Sequence, residues 1–240
     1  MPRSIAPVLA AAALAGCHAQ ADGGEGATVS KNYNVGNFSA IEVAGPYDVQ
    51  VRTGSNPSVS GTGSEKLLGR TVVEVQGDKL LIHAENNHSF FHFGFGSRGK
   101  AHFVVTVPQL SGASIAGSGG ITVDKVTGNA FEGEIAGSGG LNLTSVEVQS
   151  LKLSIGGSGG VKAGTGRAKS VEYEIAGSGG IDAAGITAEQ AKVSIAGSGS
   201  VKANATATAD VEVMGSGDVN VTGGAKCTVS KEGSGDVHCS

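Results

Sequence analysis

From residue 111 onward, apolar side chains occupy alternate positions of a unit that repeats about every 20 residues. Each unit contains Gly-Ser-Gly, and the first glycines of these tripeptides are Gly117, Gly137, Gly157, Gly177, Gly197, Gly215 and Gly233. Their spacings are 20, 20, 20, 20, 18 and 18 residues. Alternation of apolar and polar residues is typical of strands with one buried face. A fixed period of this length indicates a solenoid of stacked coils.

Apolar positions within one unit fall into two phases. Residues two before and four and six after the first glycine share one phase, as Ile135, Leu141 and Leu143 do. Val126, Val146 and Ile186 lie nine positions after a first glycine, in the other phase. The chain must therefore turn between positions six and nine, which predicts two longer strands and one short segment per coil. We expect an all-β fold, a parallel β-helix or β-solenoid with about seven Gly-Ser-Gly coils.

The Gly-Ser-Gly tripeptide is predicted to form the tight corner between two strands. Glycine supplies a positive φ without a Cβ clash and lets neighbouring coils approach closely. The serines of successive coils would then stack in a column: Ser118, Ser138, Ser158, Ser178, Ser198, Ser216 and Ser234. A structural role is sufficient to explain them.

The N-terminal half lacks Gly-Ser-Gly but continues the strand pattern. Alternating or apolar runs cover residues 38–44, 47–52, 71–76, 80–84 and 102–108, and Gly45-Pro46 and Gly77-Asp78 separate them as turns. We predict one domain over residues 31–240, in which strands within 31–110 continue or cap the solenoid of 111–240. Such a cap would cover the first exposed strand edge.

The first residues have the character of an export signal. Arg3 precedes an apolar stretch too short to span a bilayer, and Leu14-Ala15-Gly16-Cys17 follows it. This tetrapeptide resembles the bacterial lipoprotein box, which implies a signal peptide over residues 1–16 and acylation of Cys17. An ordinary secretory signal is the alternative. His18 in place of Asp favours the outer membrane by resemblance to lipoprotein sorting, and residues 17–30 would form a flexible tether.

Composition narrows the classes of partner and cofactor. The net charge of −4 and the lack of a Lys/Arg run argue against nucleic acid. Cys227 and Cys239 are an even pair in an exported protein, which favours a disulfide that staples the terminal coil. We predict no cofactor and no metal site.

Two motifs superficially suggest catalysis. Residues 156–160 match the G-x-S-x-G pattern of hydrolases, but the same serine recurs in seven coils and no histidine lies in the repeats before His238. A phosphate loop is excluded because G-x-x-x-x-G-K-[ST] is absent. Asp218 and Asp236 would stack one coil apart, either solvated, which we favour, or around a shared cation. We therefore expect no catalytic residues.

The irregular stretch over residues 84–100 is the strongest candidate contact site. Its aromatic and imidazole side chains are His88, Phe90, Phe91, His92, Phe93 and Phe95. Three interpretations stay open: a metal site in which His83 or His102 joins His88 and His92, an aromatic surface for a partner, and a cover for the end of the solenoid. The last is favoured because no carboxylate or cysteine completes a ligand set.

The order of these elements resembles a known family. "NFSAIEVAGPYDVQVRTG", "VVEVQGDKLLIHAEN", a loop, "FVVTVPQL" and the Gly-Ser-Gly run are similar to the head GIN domain of bacterial auto-transporter adhesins. The resemblance implies an exported, lipid-anchored envelope protein with a β-helix-like fold and an adhesive or scaffolding role. It also implies a membrane anchor and an envelope protein or glycan as partner. A carbohydrate-binding or polysaccharide-cleaving β-helix protein is the alternative.

Overall fold

The computed structural model describes residues 27–85 and 100–240. Within them the chain forms 16 strands in one continuous sheet and one short helix. The repeat region is a parallel β-solenoid, as predicted. Its strands are β8 Gly112–Gly117, β9 Gly120–Gly137, β10 Gly140–Gly157, β11 Gly160–Gly177, β12 Gly180–Gly197, β13 Ser200–Gly215, β14 Asp218–Thr222, β15 Lys226–Gly233 and β16 Val237–Cys239.

Successive coils pair in the register that the repeat dictates. Ile135 lies opposite Ile155, which lies opposite Ile175, and this column of side chains is at most 2% exposed. Stacking identical aliphatic residues buries each on both sides, which is the main stabilising contribution in a solenoid. The column ends at Lys231, which pairs with Val213 and is exposed.

The cross-section of a coil has three sides, of which one is longer and two are shorter. This differs from the predicted two longer strands and one short segment. Coil β10 shows the inward residues: Leu141 and Leu143 on the first side, Val146 and Val148 on the second, and Leu151, Leu153 and Ile155 on the third. The predicted turn between positions six and nine lies at Thr144 and Ser145. The sequence analysis missed the inward position of Val148, because Ala168 and Ala188 occupy it in the next coils and alanine is a weak hydrophobic signal.

Seven Gly-Ser-Gly corners bound about six full turns rather than seven coils. The change from 20 to 18 residues occurs on the second side, where Ala205 is the inward residue in β13. The register between β12 and β13 shifts in this region accordingly.

Corner glycines are required by both conformation and space. Gly157 has a φ of +124°, and a Cβ on it would lie 2.5 Å from the carbonyl oxygen of Gly137. That oxygen accepts hydrogen bonds from the backbone N–H groups of Ser158 and Gly159 at 2.9 and 3.0 Å. The corners therefore stack backbone on backbone, which side chains would prevent.

The N-terminal half adds two coils to the solenoid and ends it with antiparallel strands. Its elements are β1 Thr28–Tyr33, β2 Ala40–Ala44, β3 Tyr47–Thr53, β4 Ser58–Ser64, α1 Glu65–Leu68, β5 Thr71–Gln76, β6 Lys79–Ala84 and β7 Ala101–Val107. One added coil consists of β2 and β3, and it lies between the coil of β6 and β7 and the coil that begins with β8. The coil made first along the chain is thus enclosed by two later ones.

This end of the solenoid is covered. Strands β1 and β4 run antiparallel beside β7, and β5 runs antiparallel beside β6. Tyr47, Phe103 and Tyr33 fill the interior, with ring centroids of Tyr47 and Phe103 5.7 Å apart at 85°. The predicted cap is therefore made of strands and aromatic side chains. No helix in residues 27–85 and 100–240 is long and apolar enough to cross a membrane.

Candidate functional site

Two of the predicted sites lie outside the described residues. These are the acylation site Cys17 and the loop side chains His88, Phe90, Phe91, His92, Phe93 and Phe95. The attachment of the loop is nevertheless defined by register. Ala84 takes the position of a corner's first glycine, and Ala101 takes that of its third residue. Residues 85–100 thus stand where every repeat has one serine.

The corner serines are fully on the outside of the rod. All seven are exposed, and their backbones, not their hydroxyls, make the hydrogen bonds that hold the column. Within residues 27–85 and 100–240 no histidine or carboxylate hydrogen-bonds to any of these hydroxyls. A nucleophilic serine needs a neighbouring base, so the geometry supports the structural interpretation of the motif.

A depression of about 350 Å³ lies on the outer surface of the second side and crosses four coils. Its lining residues are Glu147, Val148, Gln149, Arg167, Ala168, Lys169, Thr187, Ala188, Glu189 and Thr206. The depression forms where the coil shortens from 20 to 18 residues, since the second side of β13 ends sooner than those before it. Small inward residues keep its floor low.

The rim of this depression carries balanced charge. Glu147 and Glu189 offer two carboxylates, and Arg167 and Lys169 offer two cations. Within the described residues none of these four side chains makes an ion pair at 4.0 Å or less, so their hydrogen-bonding groups face solvent. Thr206 donates from Oγ1 to the carbonyl of Ala188 at 3.1 Å, which ties the shorter coil to the floor. This arrangement suits a polar ligand with both donors and acceptors. The sequence analysis missed it, and the shortened repeat was the available signal.

A ladder of alternating charges follows the third side. In register, Glu132 faces Lys152, which faces Glu172, which faces Lys192. Lys192 Nζ lies 2.9 Å from Glu172 Oε1, and Lys152 Nζ lies 3.1 Å from Glu174 Oε2. The hydrogen bond from Lys192 lowers the pKa of Glu172 against the opposing effect of burial. The hydrogen bonds to Glu174 and Glu172 raise the pKa of Lys152 and of Lys192 respectively.

This ladder is consistent with a role in fixing register. A slip by one coil would leave charges of one sign facing each other. These paired charges therefore do not form a second candidate binding site.

The terminal coil is held together by a disulfide and a backbone contact. Cys227 and Cys239 are bonded, with their Cα atoms 6.6 Å apart. Asp218 accepts the backbone N–H of Asp236 on Oδ1 at 3.1 Å. The described residues contain no group of three or more His, Cys, Asp or Glu side chains placed to hold a metal ion.

The fold is shared with solved structures of bacterial proteins. A "putative adhesin" from Bacteroides fragilis superposes with a TM-score of 0.80 at 22% identity, over 89% of this chain and 97% of that one. A "putative lipid binding protein" from Parabacteroides distasonis gives 0.68 at 24% identity, over 90% and 98%. A "putative adhesin" from Parabacteroides merdae gives 0.67 at 19% identity, over 90% and 98%. At these identities the likeness shows the fold alone.

Sequence comparison gives the family. A search of curated proteins found no match. The family described as "Putative auto-transporter adhesin, head GIN domain" matches residues 37–225. That range holds the two N-terminal coils and all but the last of the corners. The chain therefore belongs to the head GIN domain family of auto-transporter adhesins.

Proposed function

We propose that this protein is a lipid-anchored scaffold of the bacterial cell envelope, which binds a partner in an adhesin-like role and carries out no catalysis. The observation that carries the proposal is the polar depression on a rigid solenoid of an adhesin family. The rod holds the rim residues on strands, and groups held on strands are positioned more rigidly than groups on loops.

The anchor is Cys17, at the end of an export signal over residues 1–16. Acylation at this position would leave residues 17–30 as a tether to the solenoid. The described chain begins beside β1, which is the outermost strand at the covered end. The covered end would therefore face the membrane, and the opposite end would face away from it. His18 supports placement at the outer membrane of a Gram-negative cell.

The partner is an envelope protein or a glycan that meets the depression. Its balanced charge favours a ligand without strong net charge, and its amide and hydroxyl groups suit hydroxyl-rich chemistry. Carbohydrate binding is therefore the second candidate function. No arrangement of the described residues supplies the paired nucleophile and base that the serine motif would need.

Binding is tested with the secreted chain and isolated envelopes. We expect R167E/K169E, which makes the rim wholly acidic, to weaken binding about tenfold or more. The matched control is K125E/K162E, which changes charge equally at exposed lysines outside the depression. Equal binding by both double variants would contradict the assignment of the depression. Binding to a glycan array would identify a carbohydrate, and turnover of a polysaccharide would refute the non-enzymatic proposal.

The anchor has its own experiment. Cys17→Ser should move the protein from the membrane fraction to the soluble fraction of cells. Cys227→Ser, which leaves the signal intact, is the control and should stay with the membrane. Unchanged retention of Cys17→Ser would show that acylation is not what holds the protein there.

A further inference from the structure

The two ends of the solenoid differ. The N-terminal end is covered by antiparallel strands, as described above. At the other end β15 pairs with β13 and has no second neighbour within residues 27–85 and 100–240. We call the free side of β15 Lys226–Gly233 the terminal edge. All its residues are exposed except Cys227.

The surface around the terminal edge is also the most apolar part of the described exterior. Val229 and Met214 are its exposed large hydrophobic side chains, at 47% and 46%. Val229 lies in the middle of β15, and Met214 pairs with Glu232 one coil inward. The Cys227–Cys239 disulfide fixes the strand's end, so an added strand would meet a preorganised edge.

We propose that the terminal edge binds the terminal edge of a second copy of this chain, antiparallel, so that two solenoids join tail to tail. Isologous contacts of this kind close as dimers. Strand addition at a free edge supplies main-chain hydrogen bonds, and the side chains set the register.

One register is selected by charge. With Val229 of both copies on the two-fold axis, Lys226 of each copy faces Glu232 of the other. Thr228 of each copy then faces Ser230 of the other. Two opposite-charge pairs and an apolar centre result, with inward and outward faces matched.

Neighbouring registers lack this match. A shift of one residue would set Lys226 against Lys231 or Gly233 and would also exchange the two faces of the sheet. A shift of two residues would set Lys226 against Ser230 or Ser234. No other register in this range pairs Lys226 with a carboxylate.

Lys231 selects against a different partner, a parallel strand that would extend the coils. Its Nζ donates to the carbonyl of Gly235 at 2.7 Å, in the position of the aliphatic column. A further parallel coil would stack an apolar side chain on this ammonium group, and inward charges of this kind block continued strand addition. The edge is thus closed to open-ended stacking but fits an antiparallel copy.

The adhesive consequence of this pairing rests on the proposed function. Ten strands in sequence on the third side give a rod about 40 Å long. The described chain begins at one end, and the terminal edge lies at the other. Two anchored copies would therefore meet by their free ends from opposite membranes, which is a homophilic contact between cells.

The test uses the full secreted chain with Cys17→Ser, which removes only the proposed acylation site. Sedimentation equilibrium over micromolar to millimolar concentration should show a monomer–dimer equilibrium. K226E or E232K should weaken dimerisation about tenfold or more, because each places like charges opposite each other twice. The combined variant K226E/E232K should dimerise again, since it restores both pairs with the signs exchanged.

Controls separate pairing from folding. Urea midpoints of the variants should match the parent, and K125E, with the same charge change at an interior coil, should dimerise normally. A chain that stays monomeric, an open series of higher oligomers, or failure of K226E/E232K to restore the dimer would each overturn the proposal. Loss of dimerisation with intact envelope binding would reject this inference alone, whereas loss of envelope binding with an intact dimer would reject only the proposed function.

Discussion

Replacing one corner glycine with alanine should destabilise the solenoid far more than the same replacement one residue away. G157A forces a side chain into a φ of +124°, which costs about 1–3 kcal/mol. Its Cβ would also lie 2.5 Å from the Gly137 oxygen and disturb the two hydrogen bonds that this oxygen accepts. Each such bond is worth about 1 kcal/mol.

One effect opposes this loss. Alanine restricts the unfolded chain and stabilises the fold by about 0.4–1 kcal/mol where the conformation suits it. The expected net decrease in the free energy of unfolding is therefore about 2–4 kcal/mol for G157A. For G156A the nearest atom to a new Cβ is 3.8 Å away, and alanine already occupies the corresponding position as Ala136 and Ala176. We expect G156A to leave stability unchanged or raise it by up to about 1 kcal/mol.

Urea denaturation followed by far-UV circular dichroism measures both variants. The reasoning is refuted if G157A and G156A have the same free energy of unfolding, because conformation and backbone contact are the only differences that separate the two sites. Equal destabilisation by both would point instead to a general intolerance of side chains at the corner.

Three further predictions concern the core, the charge ladder and the terminal coil. I155A removes a fully buried rung and should lower the free energy of unfolding by roughly 2–5 kcal/mol in urea, whereas I155V should cost about 1 kcal/mol; equal losses would contradict the stacked column. E172Q should lower stability by up to about 1 kcal/mol at neutral pH. Because the pKa of Glu172 is lowered in the fold, this contribution exists above the unfolded pKa and disappears as pH falls through the folded pKa, so parent and variant should melt alike below about pH 4. Reductant should lower the urea midpoint of the parent by an amount that corresponds to about 3 kcal/mol or less but leave that of C227S/C239S unchanged; an equal shift in both would show that the disulfide does not staple the terminal coil.

Periodicity made the solenoid predictable, because every coil repeats the same demand. Ile135 and Ile155 signal burial strongly, and the glycines between them mark the corner. The shape of the cross-section was less accessible, since Ala168 and Ala188 are inward yet chemically weak signals. A three-sided coil with one long side could not be distinguished from the expected pattern without knowing their orientation.

The depression was not predictable from the same pattern. It depends on a change in coil length at one place, and that change matters only once Thr206 is stacked against Ala188. The threading of the N-terminal half is a second case. Nothing local in residues 40–53 indicates that this coil lies between residues 79–107 and β8, because the pairing joins segments far apart in the chain. Non-local pairing is the information that short-range patterns lack.

The coil of β6 and β7 shows how much the corner column tolerates. Sixteen residues, 85–100, replace one serine there, yet both flanking strands keep their register with β2 and β3. Loop-closure entropy rises only slowly with length, so an insertion at a corner adds little cost when the strands beside it stay paired. Any Ser position in the column is thus a natural graft point, where related chains or designed ones can change what the rod displays without changing how it stacks.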